Sequence, residues 1–149
     1  MIEQRLRAVF DTNVIIAALK SKNPRSPTRE LLTRWKNREF DLLYAADLRV
    51  EYAEKLAARQ VEQNEAAVFL DRLARQGHLV PLTKDDVVSR VPADPDDDIV
   101  LACAVVGQAT HLVNYDPHIH ALGEVYQGVC ILDGLHFLYA VRGDVSPIS

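Results

Sequence analysis

The stretch RAVFDTNVIIAAL, Arg7–Leu19, decides how this chain folds. Arg7–Asp11 is a short apolar run closed by an acid, Thr12 and Asn13 form a polar turn, and Val14–Leu19 is apolar again. That order reads as a buried strand feeding directly into a helix. A strand buried on both faces is characteristic of parallel sheets, because the helical crossovers that join parallel strands cover both sides.

Working outward, Ser21–Pro27 (SKNPRSP) breaks the first helix. Ser26 and Pro27 supply an N-cap and a first-turn proline for a second helix to about Arg38, with Leu31, Leu32 and Trp35 inward. Asp41–Ala45 is a strand candidate. From Asp47 to about Arg59, Leu48, Tyr52 and Leu56 recur every four positions as a helical stripe. Another helix spans about Val61 to Arg75 and is closed by Gly77. Leu79–Leu82 is an edge strand or a plain connection, and Thr83–Asp97 reads as a loop. Ile99–Val106 is apolar throughout; periodicity alone permits a strand, while the preceding aspartates and the small residues favour a helix. His111–Tyr115 and Val129–Leu132 are strands, and Asp133–Val141 is a closing helix capped by Asp133. Strands alternating with helices predict an α/β fold on a parallel sheet covered on both faces, with the working site at the carboxyl ends of the strands.

Composition agrees with that class. The 149 residues are 48% hydrophobic and 26% charged, which is ordinary for a globular domain, and one domain over residues 1–149 is expected. A chain of this size buries about 70% of its unfolded surface without disulfides or a structural metal. Cys103 and Cys130 lie in apolar segments and read as buried core thiols. No run reaches the ~18 apolar residues of a membrane span, and MIEQRLRAVF is no signal peptide, so a cytoplasmic location is expected. The net charge of −4 argues against a broad grip on nucleic acid. A local stripe of Arg25, Arg29, Arg34, Lys36 and Arg38 remains, either as a binding stripe or as a solvated helix face.

The carboxylates are the informative residues. Asp11 and Asp116 fall at the carboxyl ends of two strands, and Asp98 opens the helix that feeds the second of these. A parallel sheet brings all three to one edge. On the Asp47–Arg59 helix, Glu51 lies about 100° from the centre of the apolar stripe and Glu54 about 160°, so Glu51 flanks the core and Glu54 faces solvent. Taken singly, an Asp after a strand is a turn former and the Asp96–Asp98 run a helix cap with solvated charge. Taken together, converging acids repel one another unless a cation neutralises them. An all-carboxylate set without a His or Cys ligand group favours Mg²⁺ or Mn²⁺. Magnesium completes its shell with water and phosphate oxygens, which implies a phosphate-bearing substrate.

VFDTNVIIAAL (Val9–Leu19), LRVEYAEKL (Leu48–Leu56), DPDDDIVLACAV (Asp94–Val105) and THLVNYDPHI (Thr110–Ile119) follow the order and approximate spacing of the PIN-domain family. With ILDGLHFL (Ile131–Leu138), the set resembles its bacterial VapC-like branch of toxin components of toxin-antitoxin systems. The resemblance implies an α/β/α sandwich around a central parallel sheet of four or five strands. It implies metal-dependent endonucleolytic cleavage of RNA by in-line attack of water with the 3′ oxygen leaving, a homodimer, and inhibition by a small antitoxin protein. Carried over by position, Asp11, Glu51, Asp98 and Asp116 match the four family acids. Asp98 is chosen within Asp96–Asp98 because Ala102 follows four residues later, with Asp97 in reserve. Asn13, Asp94 and Asn114 are secondary candidates.

There are departures. Asn114 stands where the family commonly has Thr or Ser, Tyr115 where it has a small residue, and His118 where relatives often carry another acid. The last lowers the negative charge near a second metal. His118 and His120 otherwise read as surface residues of a loop. Two rivals are a PIN-like binding module that has lost turnover and a phosphoaspartyl enzyme with Asp11 as nucleophile. The second wants an Asp where Asn13 stands.

Overall fold

The computed structural model of the protein describes residues 5–87 and 95–144. A strand β1 (Arg7–Phe10) leads into α1 (Thr12–Lys20) and α2 (Pro27–Lys36). Next come β2 (Asp41–Tyr44), α3 (Ala46–Ala58), α4 (Gln63–Gln76) and a two-residue β3 (His78–Leu79). Then follow α5 (Pro95–Val106), β4 (His111–Val113), the short α6 (Pro117–His120), β5 (Val125–Tyr126), β6 (Val129–Leu132) and α7 (Gly134–Arg142).

The six strands run in the order β3-β2-β1-β4-β6-β5. All pairings are parallel except that of β5 with β6. The sheet therefore exceeds the expected four or five strands by its two-residue edges. β5 went unread in the sequence because it is so short, yet a signal is there. Gln127 and Gly128, with φ of 48° and 83°, form a two-residue turn between the paired Tyr126 and Val129. Two successive positive φ angles are what a tight hairpin needs, and glycine supplies the second without steric cost.

In β1, Ala8, Val9 and Phe10 are all fully buried, as a central parallel strand requires. Phe10 packs with Phe40 and Phe137 at ring separations of 5.8 and 6.0 Å, tying β1 to α7. On the other side α5 touches β1, β2 and β4. Cys103 within α5 is buried, and burial pushes its thiol up to about 12. Cys130 corrects the expectation of two core thiols, since it is exposed between buried Val129 and Ile131. Neighbouring residues of a strand point to opposite faces, and near the sheet edge the face that Cys130 takes is open.

Two polar contacts fix the helices. The Tyr52 hydroxyl of α3 donates to the carbonyl oxygen of Phe10, inside the core. Burial, together with negative groups that include Asp11 and Glu51, raises the phenol well above its usual pKa, so it remains a donor. At the surface, Glu30 of α2 accepts from Arg142 at the end of α7 and from Arg34 of its own helix, both at 2.8 Å. Arg142 first and Arg34 second hold the Glu30 carboxyl down at about 2.

Tyr52→Phe removes a donor from a buried carbonyl and should cost about 1–3 kcal/mol in urea unfolding; an unchanged midpoint would show the bond to be dispensable. The Glu30 network should stabilise fully above pH 4.5, the ordinary carboxyl value, and fade as pH falls toward 2. The gap in Tm between wild type and Glu30→Gln is thus expected to shrink across that acid window, and a gap independent of pH would refute the linkage.

Candidate functional site

β1 ends at Phe10, and the next residue turns the chain into α1. The Asp11 N–H donates to the Val113 carbonyl at 2.9 Å, so Asp11 stays tied to β4 as the strands part. Its carboxylate caps α1, with Oδ1 accepting from the Thr12 N–H at 2.9 Å, and its residue is only 6% exposed. A carboxylate at a helix N-terminus is favoured by the backbone dipoles, which offsets part of the cost of burial. The Thr12 hydroxyl donates to Oε2 of Glu51, linking α1 to α3. Glu51 is half-buried and Glu54 exposed, as the helical angles required.

β4 is shorter than the sequence implied. It ends at Val113, where Asn114 bends the chain: its Oδ1 accepts from the Asp116 N–H at 3.0 Å while its own N–H donates to Leu132 at 3.0 Å. Asn114 is fully buried and shapes this turn, which delivers Asp116 to the edge of the sheet. Asp116 caps α6, and its Oδ1 accepts from the His118 N–H at 2.7 Å. His120 turns the other way, and its Nε2 donates to the Asn114 carbonyl at 3.1 Å.

Asp11, Glu51, Asp97 and Asp116 line one cleft of about 190 Å³, together with Thr12 and Asn13. Strand order reverses between β1 and β4, and the cleft lies there, where an open α/β sheet places its ligand site. Asp98 is buried but does not line this cleft, whereas Asp97, only 4% exposed, does. The helix begins at Pro95, not at Asp98, so both acids sit in its first turn. Successive helical residues diverge by about 100°, and one cleft receives only one of them. Asp94 lies outside the described residues.

Three further residues belong here. Lys55 of α3 and Arg59, the cap at its end, also line the cleft. With Glu51 they recur every four positions, so helical spacing was a sufficient signal. The third is His118: one ligand atom from each of Asp97, Asp116 and His118 lies within 4.8 Å of the others, the compact metal-ligating group among the described residues. Asp11 and Glu51 share the cleft but stand outside that group. Buried carboxylates facing a common space fit a divalent cation, which would remove their mutual repulsion.

Arg34 is paired with Glu30 and Glu39, at 2.8 and 2.6 Å, while Arg29 and Lys36 line a separate groove of about 230 Å³ against α1 and α4. Among the described residues no helix is long and apolar enough to cross a membrane.

Comparison with known proteins follows the same line. A family model for the PIN domain matches residues 7–118. The crystal structure of PAE2754 from Pyrobaculum aerophilum superposes with a TM-score of 0.60 at 16% identity, covering 94% of this chain and 91% of that one. FitAcB from Neisseria gonorrhoeae gives 0.54 at 14% identity, covering 87% and 99%. At such identities the likeness is one of fold. No curated protein sequence matches the chain. The family match runs from β1 to His118 and so includes every acid of the cleft, and on that match the chain belongs to the PIN-domain family.

Proposed function

We propose that the protein is a divalent-metal-dependent endoribonuclease acting as the toxin of a toxin-antitoxin pair. The observation that carries this reading is the convergence of Asp11, Glu51, Asp97 and Asp116 on one cleft at the switch point of a parallel sheet. Membership of the PIN-domain family and the motif resemblance to toxin components support it.

In this reading Asp11, Asp97 and Asp116 hold a Mg²⁺ or Mn²⁺ ion, and Glu51 completes the acidic wall. Such an ion supplies Lewis acidity and offsets negative charge on a scissile phosphate. Thr12 orients Glu51 through their hydrogen bond, and capping of α1 fixes Asp11. Lys55 and Arg59, on the same side of α3 as Glu51, are placed to contact the phosphodiester backbone on either side of the cut. Asn13 adds a hydrogen-bonding group at the rim. The partners are an RNA substrate and a small antitoxin protein. Within Asp96–Asp98 this reading takes Asp97, which lines the cleft, as third ligand, with Asp98, the choice of the family spacing, as the alternative.

The test is cleavage of single-stranded RNA with Mg²⁺ or Mn²⁺ by purified protein. Asp11→Asn and Asp116→Asn should each lose more than the ~10–100-fold that follows loss of a metal's outer-shell partner. Equal rates for wild type and both variants would end the proposal. A second comparison separates the neighbouring acids. Asp97→Asn should fall with the other ligand variants and Asp98→Asn should stay near wild type, and the reverse pattern would return the third place to Asp98.

A further inference from the structure

We infer that His118 joins Asp97 and Asp116 as an imidazole ligand of a divalent ion at the edge of this cleft, so that the site prefers a transition-series ion such as Mn²⁺ or Co²⁺ over Mg²⁺. The inference rests on the metal-centre reading above and goes beyond it by naming a ligand and an ion class.

The placement of His118 begins with local chain geometry. Asp116 is the N-cap of α6, Pro117 its first residue and His118 its second. Proline holds the φ angle that a first helical turn needs. The Asp116 carboxylate then accepts the His118 N–H at 2.7 Å. With backbone and cap fixed, the ring lies back over the acid, its Nδ1 3.4 Å from Asp116 Oδ1. That separation is longer than the ~2.7–2.9 Å of a charge-assisted hydrogen bond. It is close to the ~3 Å between adjacent ligands of an octahedral ion with bonds of ~2.1 Å.

Asp97 supplies the independent half of the group. It comes from α5, a different element, and is almost wholly buried, yet one of its oxygens falls within 4.8 Å of the chosen atoms of Asp116 and His118. The limit is little wider than the ~4.2 Å between opposite ligands of such an ion. His118 itself is 57% exposed at its side chain, so the ring reaches the centre from the solvent side and needs no rearrangement of the core to swing inward.

Chemistry sets the consequence. Mg²⁺ is a hard ion that favours oxygen and retains its waters, and imidazole adds little to its binding. A nitrogen donor favours later divalent ions, in the order Mn²⁺ below Co²⁺ below Ni²⁺. An all-oxygen site made of Asp97, Asp116 and an acid in place of His118 would show a weaker preference. The histidine also places one negative charge fewer around the ion than an acid at the same position.

The test reads coordination directly. Mn²⁺ is titrated into wild type, His118→Asp, His118→Gln, His120→Ala and Asp116→Asn, with affinities from calorimetry and nitrogen coupling from pulsed electron paramagnetic resonance. Thermal melts without metal check that each variant folds. Wild type and His120→Ala should show imidazole ¹⁴N coupling to Mn²⁺, and both His118 variants should lack it. Mn²⁺ affinity should drop by about tenfold or more in His118→Gln, at least the cost of losing an outer-shell partner. The Mn²⁺ over Mg²⁺ preference should narrow in His118→Asp. If Mn²⁺ binds wild type and is weakened by Asp116→Asn but shows no imidazole coupling, the inference on His118 is overturned and the metal centre stands. If wild type binds no Mn²⁺, or binds it equally well in Asp116→Asn, the metal-centre reading falls and the inference with it.

Discussion

The pairing of β1 with β4 is the constraint on which the rest of the site depends. Phe10 lies opposite Val113, and one residue further on the Asp11 N–H still bonds the Val113 carbonyl at 2.9 Å. Strand order reverses at this pair, so the chain leaves β1 and β4 in different directions and opens a gap at their carboxyl ends. Asp11 and Asp116 stand at its two sides because they are the residues at which each segment turns away. α3 brings Glu51 to the same gap, held by Tyr52 on the Phe10 carbonyl and by Thr12 on Glu51 itself. α5 closes it with Asp97.

Such an arrangement works against itself electrostatically. Carboxylates withdrawn from water and set against one another lose hydration and gain repulsion. The protein offsets part of this with its backbone, since Asp11 and Asp116 each cap a helix and accept a backbone N–H. Lys55 and Arg59 add positive charge at the rim. A divalent cation would offset the remainder.

Much of the fold was legible in the residues because its signals were local. RAVF followed by DTN and an apolar run specified a strand, a turn and a helix, and the Leu48–Tyr52–Leu56 stripe placed α3 and the face of Glu51. The failures have particular causes. β5 is too short to show periodicity, β3 occupies only the first residue of the Leu79–Leu82 candidate, and the exposure of Cys130 arises because a strand near the sheet edge has one open face that an apolar run does not reveal. In the DPDDD run three consecutive acids are chemically alike. Which one faces the cleft depends on how α5 (Pro95–Val106) is rotated about its axis.

The amino-acid sequence by itself determined the class of fold, the family and the acids at the ends of β1 and β4, because strand, turn and cap preferences act over a few neighbouring residues. Tertiary structure alone decided that Asp97 and not Asp98 lines the cleft, that Lys55 and Arg59 lie beside it, and that His118 joins Asp97 and Asp116 in a ligand-sized group. Those outcomes turn on the relative rotation and offset of elements far apart in the chain. Successive residues of a helix point about 100° apart, so the rotation at which α5 and α6 pack against the sheet fixes which atoms meet.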